Sequence, residues 1–306
     1  MRPTLDSPLA ALDRAPAWLN SEPLSAEGLR GRVVLVDIWT YSCVNWLRTL
    51  PYLSAWAERY RDDGLVVVGV HAPEFGFEHD LGNVRHAAAE LGVGYPVVID
   101  NDFAIWRSLE NHYWPAIYLV DREGRLRYHH FGEGAYEETE QAIQQLLGVD
   151  EATASVDAGG LAEAADWDGL RSPETYLGAA RGERRGDVAA AGLALNEWTL
   201  SGDWVVGDEA AVLRTRGGSL AYRFEARDLN LVLTPPDSGG PVRFTVTVDG
   251  QPPGDDRGLD VDAAGEGAVD EPRMYQLIRR RGGDARRTFE ITFLDPGVRA
   301  YVFTFG

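Results

Sequence analysis

The run Val33-Val34-Leu35-Val36-Asp37-Ile38-Trp39 constrains the chain more than any other segment. It has the length of a strand and no apolar–polar alternation, so neither of its faces can meet water. A strand of that kind belongs to a sheet covered on both sides. Helical spacing follows at once: over residues 44–62, Leu47, Leu50, Leu53, Trp56, Ala57 and Tyr60 fall on one stripe. A second buried strand is expected over Leu65–Val70, a helix over 78–91 and a short strand over Tyr95–Ile99. Next come a short helix over 102–110, strands over Ala116–Val120 and Arg125–His130, and a closing helix over 136–147. Strands that alternate with helices in this way predict an α/β sheet.

The texture changes near residue 150. The stretch from Gly148 to Gly160 is small and polar and reads as part of a linker, placed at 149–171. Beyond residue 190 the apolar positions recur every second residue, between Gly, Pro and Asp turns. The strands expected there are Asp203–Val206, Ala211–Arg214, Ser219–Ala226, Leu229–Leu233, Val242–Val248, Met274–Ile278, Thr288–Leu294 and Ala300–Phe305. Short strands split by turns predict an all-β sandwich of jelly-roll type. The chain therefore divides into an α/β domain over 1–148 and a β-sandwich over 172–306.

Composition removes several function classes. The net charge is −19 and every one of the 29 cations is arginine, with no broad basic face. Such a chain is not expected to bind nucleic acid. It contains no run of about 18 apolar residues and opens without the long apolar stretch of a signal peptide. The expectation is a cytoplasmic protein without a membrane partner. One cysteine forbids an intramolecular disulfide and a cysteine-rich zinc site. No cofactor or metal is expected. His129 and His130 are adjacent on a strand and point to opposite faces. Asp255-Asp256 and Asp260-Val261-Asp262 lack the ordered ligand spacing of a calcium loop.

Cys43 carries the chemistry of the first domain. It stands between the buried strand and the long helix, where unpaired backbone N–H groups and the helix dipole favour thiolate over thiol. Asp37, six residues earlier, is a carboxylate in an otherwise apolar strand, expensive without a task or partners. Pro51 interrupts the helical pattern, and Trp114-Pro115 enters the strand Ala116–Val120 as a candidate cis peptide. His71 and Glu74 follow the second strand, at the carboxyl end where open α/β sheets frame a ligand crevice. His71 can support a thiolate, as in Cys–His pairs, or be a loop histidine satisfied by backbone. Trp39, Tyr41, Trp46, Phe75 and Trp114 surround the same place. They either line an apolar groove or fill a core. Trp46, three residues after Cys43, is expected to be partly exposed and to shield the sulfur.

These features resemble the thioredoxin-like redoxins of the TlpA branch. The likeness is greatest to the soluble region of DipZ-type proteins, a thioredoxin domain followed by a carbohydrate-binding-module-like sandwich. The resemblance rests on the segment Val36–Asn45, on Val68–Phe75, on Tyr113–Asp121, on Ser172–Gly178 and on the ending Ala300–Gly306. It implies thiol–disulfide exchange with Cys43 as nucleophile, Asp37 as a buried proton-moving carboxylate and Pro115 shaping the substrate groove. The partners it implies are a disulfide-containing protein or a low-molecular-weight thiol.

One departure matters. The family motif is C-x-x-C, and here the second position is Trp46. The expected activity is a monothiol oxidoreductase. The alternatives are a non-catalytic redoxin scaffold that binds a protein or ligand, and a one-cysteine peroxidase. Thr40 matches part of the peroxidase T-x-x-C element, but Val36 stands where that element has proline. In the sandwich, Trp198, Trp204, Tyr222 and Tyr275 are either core residues or platforms for a sugar ligand.

Overall fold

The computed structural model describes residues 9–149, 162–282 and 285–306. Much of the expected linker, 150–161, lies outside the described residues. The chain forms two compact units, Met1–Glu163 and Ala164–Gly306.

In the first unit the chain runs through β1 (Trp18–Leu19), β2 (Val33–Trp39), α1 (Val44–Arg59), β3 (Leu65–His71) and α2 (Leu81–Glu90). It continues through β4 (Val97–Ile99), α3 (Ala104–Ser108), β5 (Ala116–Val120), β6 (Leu126–Phe131) and α4 (Tyr136–Leu147). The strands form one sheet in the order β1-β4-β3-β2-β5-β6. β2, β3 and β4 are parallel, joined by helical crossovers, while β5 and β6 return antiparallel. Every residue of β2 is buried, as its unbroken apolar run requires. Val34, Val36 and Ile38 enter one core with Val68, Val70 and Tyr118. The alternate residues Asp37 and Trp39 reach Trp46 of α1 instead. Trp39 and His71 are register partners at the carboxyl ends of β2 and β3. From β2 the sheet extends through β3 on one side and β5 on the other, which makes this end the natural crevice of the domain.

Three expected helices are shorter than their patterns, and α1 ends at Arg59. α2 begins at Leu81 because the Asp80 carboxylate accepts the Asn83 backbone N–H at 2.9 Å, and residues 76–79 form a separate 3-10 turn. α3 begins after Phe103, which adopts a left-handed conformation at φ 58°. The Asp100 carboxylate, which accepts the Ile105 and Trp106 amides, fixes that start.

The second unit contains only strands and short 3-10 turns among its described residues. They are β7 (Thr175–Tyr176), β8 (Trp198–Ser201), β9 (Trp204–Val206), β10 (Ala211–Leu213), β11 (Ser219–Phe224) and β12 (Asp228–Thr234). After these come β13 (Val242–Val248), β14 (Glu266–Val269), β15 (Arg273–Arg279), β16 (Arg287–Phe293) and β17 (Arg299–Phe305). One sheet has the order β15-β12-β17-β10-β9, with β7 on β17, and the other the order β14-β13-β16-β11-β8. Alternate residues such as Tyr222, Leu231, Phe244 and Phe289 share one core. Trp198, Tyr222 and Tyr275 are buried in the sandwich, so these three are not open sugar platforms, and the half-buried Trp204 packs against its core. Strands β8 and β14 escape the period-two reading, one through its hydroxyl side chains and one through Gly267. Among the described residues no helix is long and apolar enough to cross a membrane.

Gly69, at the centre of β3, keeps the sheet open to a large side chain from β2. A Cβ there would stand 2.9 Å from Trp39 Nε1, 3.0 Å from Tyr95 Cε2 and 3.4 Å from Val97 Cγ2. Gly69→Ala is therefore expected to lower the unfolding free energy of the first unit by about 1–3 kcal/mol. Urea unfolding followed by tryptophan fluorescence measures it, and a variant as stable as the parent would contradict this packing.

Candidate functional site

β2 ends at Trp39, and Thr40-Tyr41-Ser42 make the turn into α1. The Cys43 N–H donates to the Thr40 carbonyl at 3.3 Å, and the Cys43 carbonyl accepts the Leu47 N–H at 3.0 Å. Cys43 is thus the N-cap of α1, in an extended conformation, and its side chain does not cap the helix. Tyr41, Ser42 and Val44 are buried while Cys43 is half-buried, so the turn presents the sulfur-bearing residue and hides its neighbours. The Trp114–Pro115 peptide that enters β5 is cis. Pro115 is buried and its carbonyl accepts the Gly132 N–H at 2.8 Å.

Beneath the turn lies a layer of rings. Trp39 stacks on Trp46 with centroids 4.1 Å apart, and meets His71 edge-on at 5.0 Å. Tyr41 stacks on His71 at 5.7 Å and touches Phe77, which stacks on Phe75. The half-buried Trp114 donates its indole N–H to the Ala72 carbonyl at 3.0 Å. The residues singled out in the sequence therefore do come together, largely as a buried layer. Trp39, Trp46 and His71 are fully buried, and Tyr41 and Phe75 nearly so. Cys43, Glu74 and Trp114 are the members of the set that are half-buried.

Two expectations need correction. Trp46 is not partly exposed. It is part of the core, and its indole N–H donates to Asp37 Oδ2 at 3.0 Å. The helical turn that begins at Cys43 carries position 46 inward, onto Trp39. His71 does not pair with Cys43. It is the last residue of β3, and neither ring nitrogen has a hydrogen-bond partner among the described residues. Burial lowers its pKa to about 3, so it is a neutral imidazole.

Asp37 accepts a second hydrogen bond from the Tyr95 hydroxyl at 3.3 Å, while its Oδ1 has no partner among the described residues. Two donors do not replace the water lost on burial. Burial pushes its pKa up to about 7, against the opposing pull of the Trp46 and Tyr95 hydrogen bonds.

A second buried carboxyl escaped the sequence reading. Glu78, in the 3-10 turn after β3, accepts the Ser42 hydroxyl at 2.5 Å through Oε1. Its Oε2 accepts the backbone N–H groups of Glu74 and Phe75 at 2.6 and 3.0 Å. It is fully buried, and burial pushes its pKa up to about 7 while the Ser42 bond opposes the rise. The one sequence signal for it was its place three residues after Phe75, where a glutamate can reach back to the amide that opens a helical turn. Among the described residues no group of three or more His, Cys, Asp or Glu is placed to hold a metal ion.

Two family models match the chain. Residues 12–147 match the model described as Redoxin, and residues 172–306 match the thioredoxin-like C-terminal domain. The protein DipZ of Mycobacterium tuberculosis is 36% identical over 307 residues, which takes in 94% of this chain and 41% of DipZ. This chain thus spans about two fifths of the DipZ sequences it matches. The thiol-disulfide oxidoreductase YkuV of Bacillus subtilis is 30% identical over 143 residues, covering 47% of this chain and 96% of YkuV. Among solved structures, a thioredoxin-like protein in its oxidized form matches 48% of this chain and 99% of its own, at 30% identity and a TM-score of 0.42.

The folded chain keeps the Asp37 proton to about pH 7, whereas the unfolded chain releases it near 3.8. The native state therefore binds the extra proton, and this group's contribution to stability falls as pH rises through that window and is flat above it. Asp37→Asn keeps an acceptor for Trp46 and removes the ionisation. It is expected to raise the unfolding free energy at pH 8 by roughly 2–4 kcal/mol, with the gain vanishing near pH 4. Urea unfolding at both pH values measures this, and equal stability of variant and parent at pH 8 would refute a carboxyl held protonated.

Proposed function

The chain belongs to the thioredoxin-like redoxin family, and we propose that within it Cys43 works alone, as the nucleophile of a monothiol thiol–disulfide oxidoreductase. The Cys43 thiolate attacks one sulfur of a substrate disulfide. A mixed disulfide forms on Cys43 and the other half of the substrate leaves as a thiolate. A second thiol from solution then attacks the mixed disulfide and returns Cys43 to its thiolate. The cycle suits a thiol-rich compartment such as the cytoplasm, with a disulfide-containing protein or a low-molecular-weight disulfide as substrate.

The observation that carries this reading is the burial of Trp46. It stands where the family motif has its second cysteine, and it is a structural residue, stacked on Trp39 and bonded to Asp37. An indole at that position cannot resolve a mixed disulfide. Half-buried Cys43, the N-cap of α1 whose own side chain makes no capping bond, supports the attacking role. Glu74, Trp114 and Pro115 supply the nearby surface and backbone for a substrate groove.

Brief treatment with glutathione disulfide is expected to add one glutathionyl group to the parent, faster than to free cysteine, and none to Cys43→Ser. Excess thiol should then remove it. Intact-mass spectrometry reads both steps. A Cys43 that reacts no faster than free cysteine, although unfolding exposes it, would replace this reading with a binding scaffold. Turnover of peroxide would favour the peroxidase. Trp46→Cys should gain insulin-reducing activity with dithiothreitol, at a stability cost of about 3–5 kcal/mol for the emptied indole site.

A further inference from the structure

Glu78 is a carboxyl buried without a cation. The donors to it include the Ser42 hydroxyl and the amides of Glu74 and Phe75, and no ion pair joins it among the described residues. Burying such a group is costly. Holding the 3-10 turn at 76–79 does not require it, because a neutral glutamine could accept the same two amides. What the carboxyl adds is a group that can ionise, placed in the tie between the two loops at the carboxyl ends of β2 and β3, at the residue that precedes Cys43.

We propose that Glu78 is a positioning residue for Cys43. Its carboxyl holds Ser42 against the 74–78 loop, and its charge state sets how readily Cys43 loses its proton. This deepens the reading of Cys43 as the reacting thiol and rests on it. A carboxylate hydrogen-bonded to the residue that precedes the cysteine is a like charge to a thiolate there, so ionisation of either group opposes ionisation of the other. Burial pushes Glu78 up to about 7, which brings its titration next to that of an ordinary thiol. The pair then titrates in two steps that belong to both groups.

Other titratable groups neighbour Glu78. Glu74, on the same loop, adds a like charge that favours the protonated form of Glu78. His79 follows Glu78 in the chain, and Asp80 caps α2. His71, on β3, is neutral. The Ser42 hydroxyl donates to Glu78.

The test is the pH dependence of Cys43, read by its alkylation rate with iodoacetamide and by the 13Cβ chemical shift of the cysteine. In the parent, two inflections are expected, the lower one near the Glu78 titration. Glu78→Gln can keep every contact, since its amide oxygen can accept both backbone N–H groups and its NH2 can donate to Ser42. It should leave one inflection and lower the thiol midpoint by about one pH unit, so that roughly tenfold more thiolate is present below that midpoint. A Glu78→Gln profile that overlies the parent's overturns the proposal. Should that variant fail to fold, Ser42→Ala removes one donor to the carboxylate and is expected to move the lower inflection to higher pH, and an unmoved inflection overturns the tie through Ser42. The chemical shift reports ionisation without any disulfide chemistry. A Cys43 inert toward disulfides that still shows the Glu78→Gln shift therefore overturns the proposed function and leaves the role of Glu78 standing.

Discussion

The first unit depends on a carboxyl placed in the middle of an apolar strand. Asp37 sits in a strand whose every residue is buried, so its environment has to supply what water would have given. The supply is partial: the Trp46 indole and the Tyr95 hydroxyl donate to one oxygen, and the group responds by holding its proton to about pH 7. The bond to Trp46 also joins the last strand residues before the turn to the first turn of α1. Trp39 stacks on the same indole, and Gly69 of the neighbouring strand leaves room for the Trp39 ring. Strand end, turn and helix start are thus held by one contact set, and Cys43 lies in the turn between them.

A second buried carboxyl works on the same turn from the opposite loop. Glu78 reaches Ser42 across the carboxyl ends of the two central parallel strands. The ion pairs of the fold lie elsewhere, for example Arg48 with Glu133 at 2.8 Å. Among the described residues neither Asp37 nor Glu78 is paired with a cation, and burial sets both near 7. The turn that carries the sulfur is therefore flanked by two groups that exchange protons close to neutrality, in a chain whose net charge of −19 does nothing to favour a further negative charge. That arrangement suits thiol chemistry, in which a proton has to leave one sulfur and reach another.

In the second unit the period-two pattern was readable because each sheet face is uniform. Core residues of β13 and β16 alternate with outward ones, while β11 and β12 are buried almost throughout, and the strands expected there differ from those formed by only a residue or two at their ends. Three of the aromatic residues that could have been ligand platforms, Trp198, Tyr222 and Tyr275, are filling between the sheets, since large rings bury the most surface. Strands that lie at the sheet ends or pair over only a few residues, such as β14 and β7, carry little pattern of their own and depend on the neighbour they pair with.

The sequence by itself determined the alternation of buried strands and amphipathic helices, the change to a sandwich and the place of Cys43 at a helix start. Each follows from periodicity within one segment, which is a local property. Tertiary structure alone decided that Trp46 belongs to the core, that His71 is a neutral ring within an aromatic layer, and that Glu78 meets Ser42. Those facts depend on which residues the parallel pairing of β2 with β3 brings to one end of the sheet. Spacing along the chain does not report that, because a contact across 36 residues exists only once the crossover helix has packed. Burial, and with it the protonation of Asp37, Glu78 and His71, is a property of that packed end and not of any one segment.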